Sequence, residues 1–343
     1  MAANELPHEP PAPVRAAMAA NVRVNRYPDP TYATLFSAVA DDMRAPQANV
    51  MIGAGSSSIL QRLIRVLCPG EGDAVMWLSP GFDAFTTFTL QAGAVAQRVP
   101  ATSDGSTDLD AMMNAITPRT RMIILVNPHN PTGSVVTGSE LRRFLDQIDD
   151  DVTVVLDEAY REFCDDPRIA DGVSLAQARW ASGHNNVAVV RTFSKAYGLA
   201  GLRVGYGIAP APLARKVWDA AAPREISSSA AVAAVAALKA KSVMLSNAAD
   251  IVRERERIRT ELCRLGYAPA PSQANFLWLP LGDESGRFVE HCLIGGIRVL
   301  DVAERGVRVS IGTPVDNDTF LHSAHAWAAR HASANSEPEE KLL

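Results

Sequence analysis

The sequence predicts an α/β fold, in which a large domain with a mostly parallel sheet is followed by a smaller C-terminal α+β domain. Three observations carry this. Five short apolar runs rich in branched residues, Ala74 to Leu78, Met122 to Val126, Val152 to Leu156, Val187 to Val190 and Val204 to Ile208, have the length and character of buried strands. Stretches with helical period lie between them: Ile59, Leu60, Leu63, Ile64 and Leu67 fall on one face, as do Leu141, Phe144, Leu145 and Ile148. Strands that alternate with helices in this way form a sheet covered on both sides. After Ile208 the pattern changes. The Ala-rich run Ser228 to Ala240 reads as a helix, Ile251, Ile258 and Leu262 as the inner face of another, and Asn275 to Leu279, Gly296 to Leu300 and Val307 to Ile311 as strands. The chain of 343 residues is long enough for roughly two domains. We expect an N-terminal arm over residues 1–30, extended because of Pro28, Pro30 and the Pro-rich first eleven residues. The large domain is then 31–222 and the small one 223–343.

Composition narrows the function. Hydrophobic content of 47% with 21% charged residues is that of a globular protein. A net charge of −5 offers no electrostatic footprint for nucleic acid, and the run Arg253-Glu254-Arg255-Glu256-Arg257 alternates sign as a solvated helix face does. The four cysteines, Cys68, Cys164, Cys263 and Cys292, are scattered without ligand spacing, which indicates neither zinc nor a disulfide framework. The N-terminus has no basic region followed by an apolar one, and no run of about 18 to 20 apolar residues occurs. These features predict a cytoplasmic protein that meets small molecules, not membranes or nucleic acid.

In open α/β sheets ligands bind at the carboxyl ends of the strands, and the polar strings lie there. Ser79-Pro80-Gly81-Phe82 follows the first apolar run, Asn127-Pro128-His129-Asn130-Pro131-Thr132-Gly133 the second, Asp157-Glu158-Ala159-Tyr160 the third and Thr192-Phe193-Ser194-Lys195 the fourth. Lys195 is the candidate catalytic amine. A lysine condenses with a carbonyl only when it can shed its proton, which burial beside other cations favours, and Arg203 stands eight residues on. By itself the segment also fits a surface lysine in a Gly-rich loop. Gly53-Ala54-Gly55-Ser56-Ser57-Ser58 precedes a helix and reads either as an anion cradle or as an ordinary Ser-capped start. Asp157 ends an apolar strand, where a buried carboxylate needs a partner; a protonated ring nitrogen would serve, and so would the cap of the next element. His129 reads as a solvated loop histidine.

Taken together, Asn130-Pro131-Thr132-Gly133, Asp157-Glu158-Ala159-Tyr160, Ser194-Lys195 with Arg203, and Arg308 resemble the fold type I pyridoxal-phosphate aminotransferases. Within them the chain is most similar to the histidinol-phosphate aminotransferase branch and its actinobacterial aromatic (phenylalanine) aminotransferase relatives. Supporting strings are Asn25-Arg26-Tyr27-Pro28-Asp29-Pro30, Arg191 to Gly205, Pro271-Ser272-Gln273-Ala274-Asn275-Phe276 and Val307-Arg308-Val309-Ser310-Ile311-Gly312. The match spans nearly the whole chain in order.

The resemblance implies pyridoxal 5'-phosphate bound covalently by Lys195, which also acts as general base and acid. It implies Asp157 on the pyridine nitrogen, Asn130 and Tyr160 on the ring 3'-oxygen, and Phe82 stacked on the ring. Ser56, Ser57, Thr192, Ser194 and Arg203 would hold the phosphate, and Arg308 the substrate carboxylate. Tyr27 would reach the phosphate of a neighbouring subunit, which makes a homodimer the expected assembly. The implied reaction moves an amino group between an aromatic amino acid or histidinol phosphate and 2-oxoglutarate; another fold type I reaction, decarboxylation or cyclisation, is the alternative. A non-enzymatic regulator would need an added basic DNA-binding domain, for which there is no room. Two departures stand out. Pro314 follows Gly312-Thr313 where histidinol-phosphate aminotransferases often carry an arginine, and Pro223-Arg224-Glu225 places charges where similar proteins often show an apolar or aromatic residue.

Overall fold

The computed structural model describes residues 1–334 apart from 22, 24, 303 and 304. The chain runs through α1 (Ala12–Asn21), α2 (Ala33–Met43), β1 (Val50–Gly53), α3 (Ser56–Leu67), β2 (Ala74–Ser79), α4 (Ala84–Gln91) and β3 (Val95–Pro100). It continues through α5 (Leu109–Asn114), β4 (Thr120–Val126), α6 (Gly138–Leu145), β5 (Thr153–Asp157), α7 (Gly172–Ala181), β6 (Val187–Thr192), β7 (Gly205–Ile208) and α8 (Ala211–Asp219). The last part holds α9 (Ser228–Lys239), α10 (Lys241–Arg264), β8 (Phe276–Leu279), α11 (Ser285–Ile294), β9 (Leu300–Val302), β10 (Gly306–Ser310) and α12 (Pro314–Ala334).

Seven strands form one sheet in the order β1-β7-β6-β5-β4-β2-β3. The pairs from β6 across to β3 are parallel, whereas β7 lies antiparallel to both β6 and β1. The five expected apolar runs are the five strands β2, β4, β5, β6 and β7, within one or two residues. They were visible because both sheet faces are covered, so each reads as a continuous apolar run. β1 and β3 lacked that signal: β1 is only four residues long, and the edge strand β3 is mostly exposed and carries Gln97 and Arg98. Local chemistry sets the helix starts. Thr137 and Glu140 form a reciprocal capping box at α6, and Asp171 accepts from Ser174 N at 3.0 Å to start α7.

One large core fills one sheet face and extends to Ile226, the alanines of α9 and Met244, so α9 backs the large sheet. A second covers the other face with α3 and α8. A third lies under the three-stranded sheet β8-β10-β9 with α10, α11 and α12, and it takes in Tyr160, Phe163 and Ala196 from the loops after β5 and β6. The rim of the large sheet is thereby packed into the C-terminal unit. Two expectations are corrected. The N-terminal arm is not extended throughout, because Ala12–Asn21 is a helix packed on α9. Gly296 to Leu300 is not a strand; the strand is Leu300–Val302, and Gly296 takes a left-handed φ of 84° as a turn residue does. Among the described residues no single helix is long and apolar enough to cross a membrane, and no group of His, Cys, Asp and Glu is arranged to hold a metal ion.

The loops after β5 and β6 are fixed by a buried ion pair. Arg191 donates to Glu158 Oε2 from Nε at 2.9 Å and from Nη2 at 2.7 Å, and to Asp171 Oδ1 at 2.5 Å, while Glu158 Oε1 accepts from Gly172 N at 2.8 Å. Removing one partner of such a pair strands the other charge. Arg191→Ala is therefore expected to destabilise the fold by about 3 to 5 kcal/mol in a denaturant titration. The double variant Arg191→Met, Glu158→Gln is expected to lose less, and equal losses would refute the pairing.

Candidate active site

Lys195 follows β6 by three residues, and its Nζ reaches across to the first residues of the chain, donating to the carbonyls of Ala3 and Asn4 at 3.1 Å each. It also lies 5.7 Å from the centre of the Tyr160 ring. Burial lowers its pKa to about 8, and the cations of Arg308 and Arg203 add to the shift while Glu5 and Asp157 oppose it. A substantial neutral fraction at mild pH is what a carbonyl-condensing amine requires. On the next strand Asp157 ends β5 within the sheet, opposite Val126 and Val190. Its carboxylate accepts from Ala159 N at 3.1 Å, and burial raises its pKa to about 7. It bonds the following turn, as a cap does, and its charge is otherwise poorly compensated.

The turn before α3 meets the far end of the same rim. Gly55, with φ 82°, lies so close to Arg203 that a Cβ there would sit 2.5 Å from Nη2, and a Cβ on Gly205 would collide with the backbone of Gly55 and Ser56. The two glycines let β7 and Arg203 close onto the turn. Arg203 itself is left-handed, φ 51°, and donates from Nη1 to Ser194 Oγ at 3.2 Å and to Ala200 O at 2.9 Å. Thr192 Oγ1 accepts from Ser194 N at 3.0 Å. Ser56 and Ser57 begin α3, and the N–H groups at a helix start attract an anion.

A cavity of about 620 Å³ opens beside Lys195 and brings together Phe82, Asn130, Tyr160, Lys195 and Arg308. Asp157 and the group around Arg203 are not among its lining residues; they flank Lys195 through Ser194 and the end of β5. Arg308 donates from Nη1 to Asn130 Oδ1 and from Nη2 to Ala2 O, both at 2.5 Å, lies over the Phe276 ring at 5.5 Å, and keeps a buried Nε with no hydrogen-bond partner. Sequence reasoning missed Asn4. This residue, 1% exposed and with φ 53°, donates from Nδ2 to Tyr160 OH at 3.1 Å and accepts at Oδ1 from Ser310 Oγ at 2.7 Å. Its carbonyl accepts from Asn275 Nδ2 at 3.1 Å as well as from Lys195. No local pattern signals it, since its contacts lie 156 to 306 residues away.

One candidate stands apart, and one reading is corrected. Tyr27 is 84% exposed and stacks under Arg224 at 5.1 Å, outside the cavity, so one chain alone does not bring it to the site. Phe82 lines the cavity edge-on to Phe85, with ring centres 5.4 Å apart, and makes no other ring contact among the described residues. His129 is not a solvated loop residue. It is 2% exposed, shares a hydrogen bond of 2.9 Å between Nδ1 and Thr132 Oγ1, and burial drives its pKa down to about 4, so it is neutral.

The donor set fits a phosphorylated pyridine aldehyde: an amine of lowered pKa, a buried carboxylate that a ring cation would relieve, and a helix start beside an arginine. Residues 1–323 match the family Aminotransferase class I and II. The aromatic amino acid aminotransferase of Thermobifida fusca is 44% identical over 333 residues, covering 96% of this chain and 90% of that protein. The aromatic amino acid aminotransferase of Streptomyces avermitilis is 42% identical over 322 residues, covering 94% and 88%. Among solved structures, the histidinol-phosphate aminotransferase from Sinorhizobium meliloti in complex with pyridoxal-5'-phosphate superposes with a TM-score of 0.85 at 26% identity, covering 96% of this chain and 90% of that one. Sequence, sheet and rim agree: the chain belongs to the class I and II aminotransferase family and is a pyridoxal-phosphate-dependent aminotransferase of fold type I.

Proposed function

We propose that this aminotransferase takes its amino group from an aromatic amino acid of the phenylalanine type and passes it to 2-oxoglutarate. The observation that carries this is the cavity beside Lys195. It is bounded by Arg308, which suits a carboxylate, and by Trp77 and Phe82, backed by Phe85, which suit an aromatic ring. The relatives at 44% and 42% identity are named aromatic amino acid aminotransferases. Arg98 and Arg305 line the same cavity and favour a second reading, a substrate with a distal phosphate such as histidinol phosphate. Either arginine also suits the distal carboxylate of 2-oxoglutarate.

Pyridoxal phosphate, when bound, supplies the electron sink that makes a proton on the substrate Cα removable. In our reading Lys195 Nζ anchors it and, once released, takes and returns that proton, while the Asn4 carbonyl and the Tyr160 ring hold the amine nearby. Asp157 would keep the ring nitrogen protonated, Asn130 and Tyr160 would donate to the ring oxygen, Ser56, Ser57, Thr192, Ser194 and Arg203 would hold the phosphate, and Phe82 would cover the ring. Arg308 binds the substrate carboxylate in place of the Ala2 carbonyl, a charged acceptor replacing a neutral one. Tyr27, exposed in the single chain, completes the phosphate site of a second subunit in a two-fold dimer.

These roles are open to measurement. With a Lys195 pKa of about 8, the rate of covalent cofactor uptake by cofactor-free protein should rise about tenfold per pH unit below 8 and level off above it. Borohydride should then trap a pyridoxyl group on Lys195. Asp157→Asn should keep the fold and the cofactor but lose turnover by about two or more orders of magnitude. A flat uptake profile, or near-normal turnover in Asp157→Asn, refutes the corresponding role.

The dimer is tested by mixing. Lys195→Ala chains are expected to be inactive and Tyr27→Ala chains impaired, and a mixed dimer regains one site with both groups intact. Activity that does not exceed that of the Tyr27→Ala chains alone would count against a shared site.

The donor is decided by the ratio of specificity constants for phenylalanine and histidinol phosphate at equal 2-oxoglutarate. We expect a ratio well above one. A ratio well below one assigns the cavity to the phosphate ester, with Arg98 and Arg305 as its anion site.

A further inference from the structure

Glu225 lies in the connection between α8 and α9, about 170 residues from the turn it touches. Its Oε1 accepts from the backbone N–H of Ala54 at 3.2 Å, its Oε2 accepts from Ser58 Oγ at 3.0 Å, and Oε1 lies 3.0 Å from Arg62 Nη2. The two side chains are only 13% and 4% exposed. Arg62 is fixed in turn by the carbonyls of Ile52 at 2.7 Å, of Ser58 at 3.2 Å and of Val217 at 3.2 Å. The end of β1, the first turn of α3 and the end of α8 are thus tied to one buried ion pair. A Cβ on Gly53 would collide with Arg62 and press on Ile59, which shows how tightly the pair backs the turn.

Ala54 and Ser58 bracket Gly55-Ser56-Ser57, so the carboxylate holds both ends of that three-residue segment while leaving its serines unengaged by Glu225. A carboxylate beside a phosphate site would repel the ligand. Here Arg62 compensates its charge at the point of contact. The charges at Pro223-Arg224-Glu225 therefore divide into two parts: Arg224 stacks on the exposed Tyr27, and Glu225 is built into the floor of the turn.

We propose that Glu225 is a positioning residue for the cofactor phosphate, clamping the segment Gly55 to Ser57 in the conformation that presents its N–H and hydroxyl groups beside Arg203. This rests on the assignment of that segment to the phosphate made above. A charged hydrogen-bond acceptor is lost in Glu225→Ala, while Glu225→Gln keeps an acceptor and loses the charge.

The test compares equilibrium binding of pyridoxal 5'-phosphate and of pyridoxal, which lacks the phosphate, to cofactor-free wild type, Glu225→Ala and Glu225→Gln, with circular dichroism confirming the fold of each. Glu225→Ala is expected to bind pyridoxal phosphate about ten- to a hundredfold more weakly with pyridoxal binding unchanged. Glu225→Gln should fall between, and it carries the test if Glu225→Ala does not fold. Inorganic phosphate should compete with pyridoxal phosphate less well in either variant. Equal losses for the two aldehydes, or no loss, overturn the role of Glu225. Wild type that binds both aldehydes equally would instead overturn the assignment of the segment to the phosphate.

Discussion

Two adjacent carboxylates at the end of β5 meet opposite fates, and the site is organised by the difference. Glu158 is satisfied within the protein by Arg191 and the Gly172 amide. Asp157, buried one residue earlier, has a single backbone donor and is pushed towards neutrality. An ion in a low-dielectric sheet interior demands a counter-charge. The chain provides one for Glu158, and the ring cation proposed above would be one for Asp157. Asp83 and Asp301 also line the cavity, but Asp157 is the carboxylate buried within the sheet.

The C-terminal unit and the first residues of the chain complete that rim. Tyr160 and Ala196 pack into the core beneath β8 and β10, so the segments carrying Asp157 and Lys195 are braced from both sides. Asn4 joins Tyr160, Ser310, Asn275 and Lys195 in one network, and Arg308 reaches from β10 to Asn130. Residues far apart in sequence thus determine the orientation of groups whose reactivity depends on a few tenths of an ångström.

How much of this could be read from the sequence follows from where the determining contacts lie. The five covered strands were legible because burial on both faces leaves an uninterrupted apolar run, and Lys195, Asp157 and Arg203 because each stands in a short string at a strand end. β3 was not, because an edge strand is free to carry polar residues such as Gln97 and Arg98. His129 misled because its string looks like a turn, while its burial comes from packing that no local pattern records. Asn4 and Glu225 act across separations of more than 150 residues, and nothing in their neighbours signals it. The residues proposed for the phosphate were readable as a set of types; their closeness depends on Gly55 and Gly205, whose missing side chains matter only once β7 lies against the turn.

The reversal of β7 has its own consequence. A parallel strand would need a crossover of about a dozen or more residues before the chain returned to the rim. Being antiparallel, with Gly205 opposite Thr192, β7 starts where β6 stops. Lys195 and Arg203, the proposed anchor and phosphate cation, are therefore held by one short loop on one sheet, whereas Arg308 rides on the C-terminal unit. In the roles proposed above, the groups that would hold the cofactor thus share one loop, while the group that would hold a departing acid sits on a separate element.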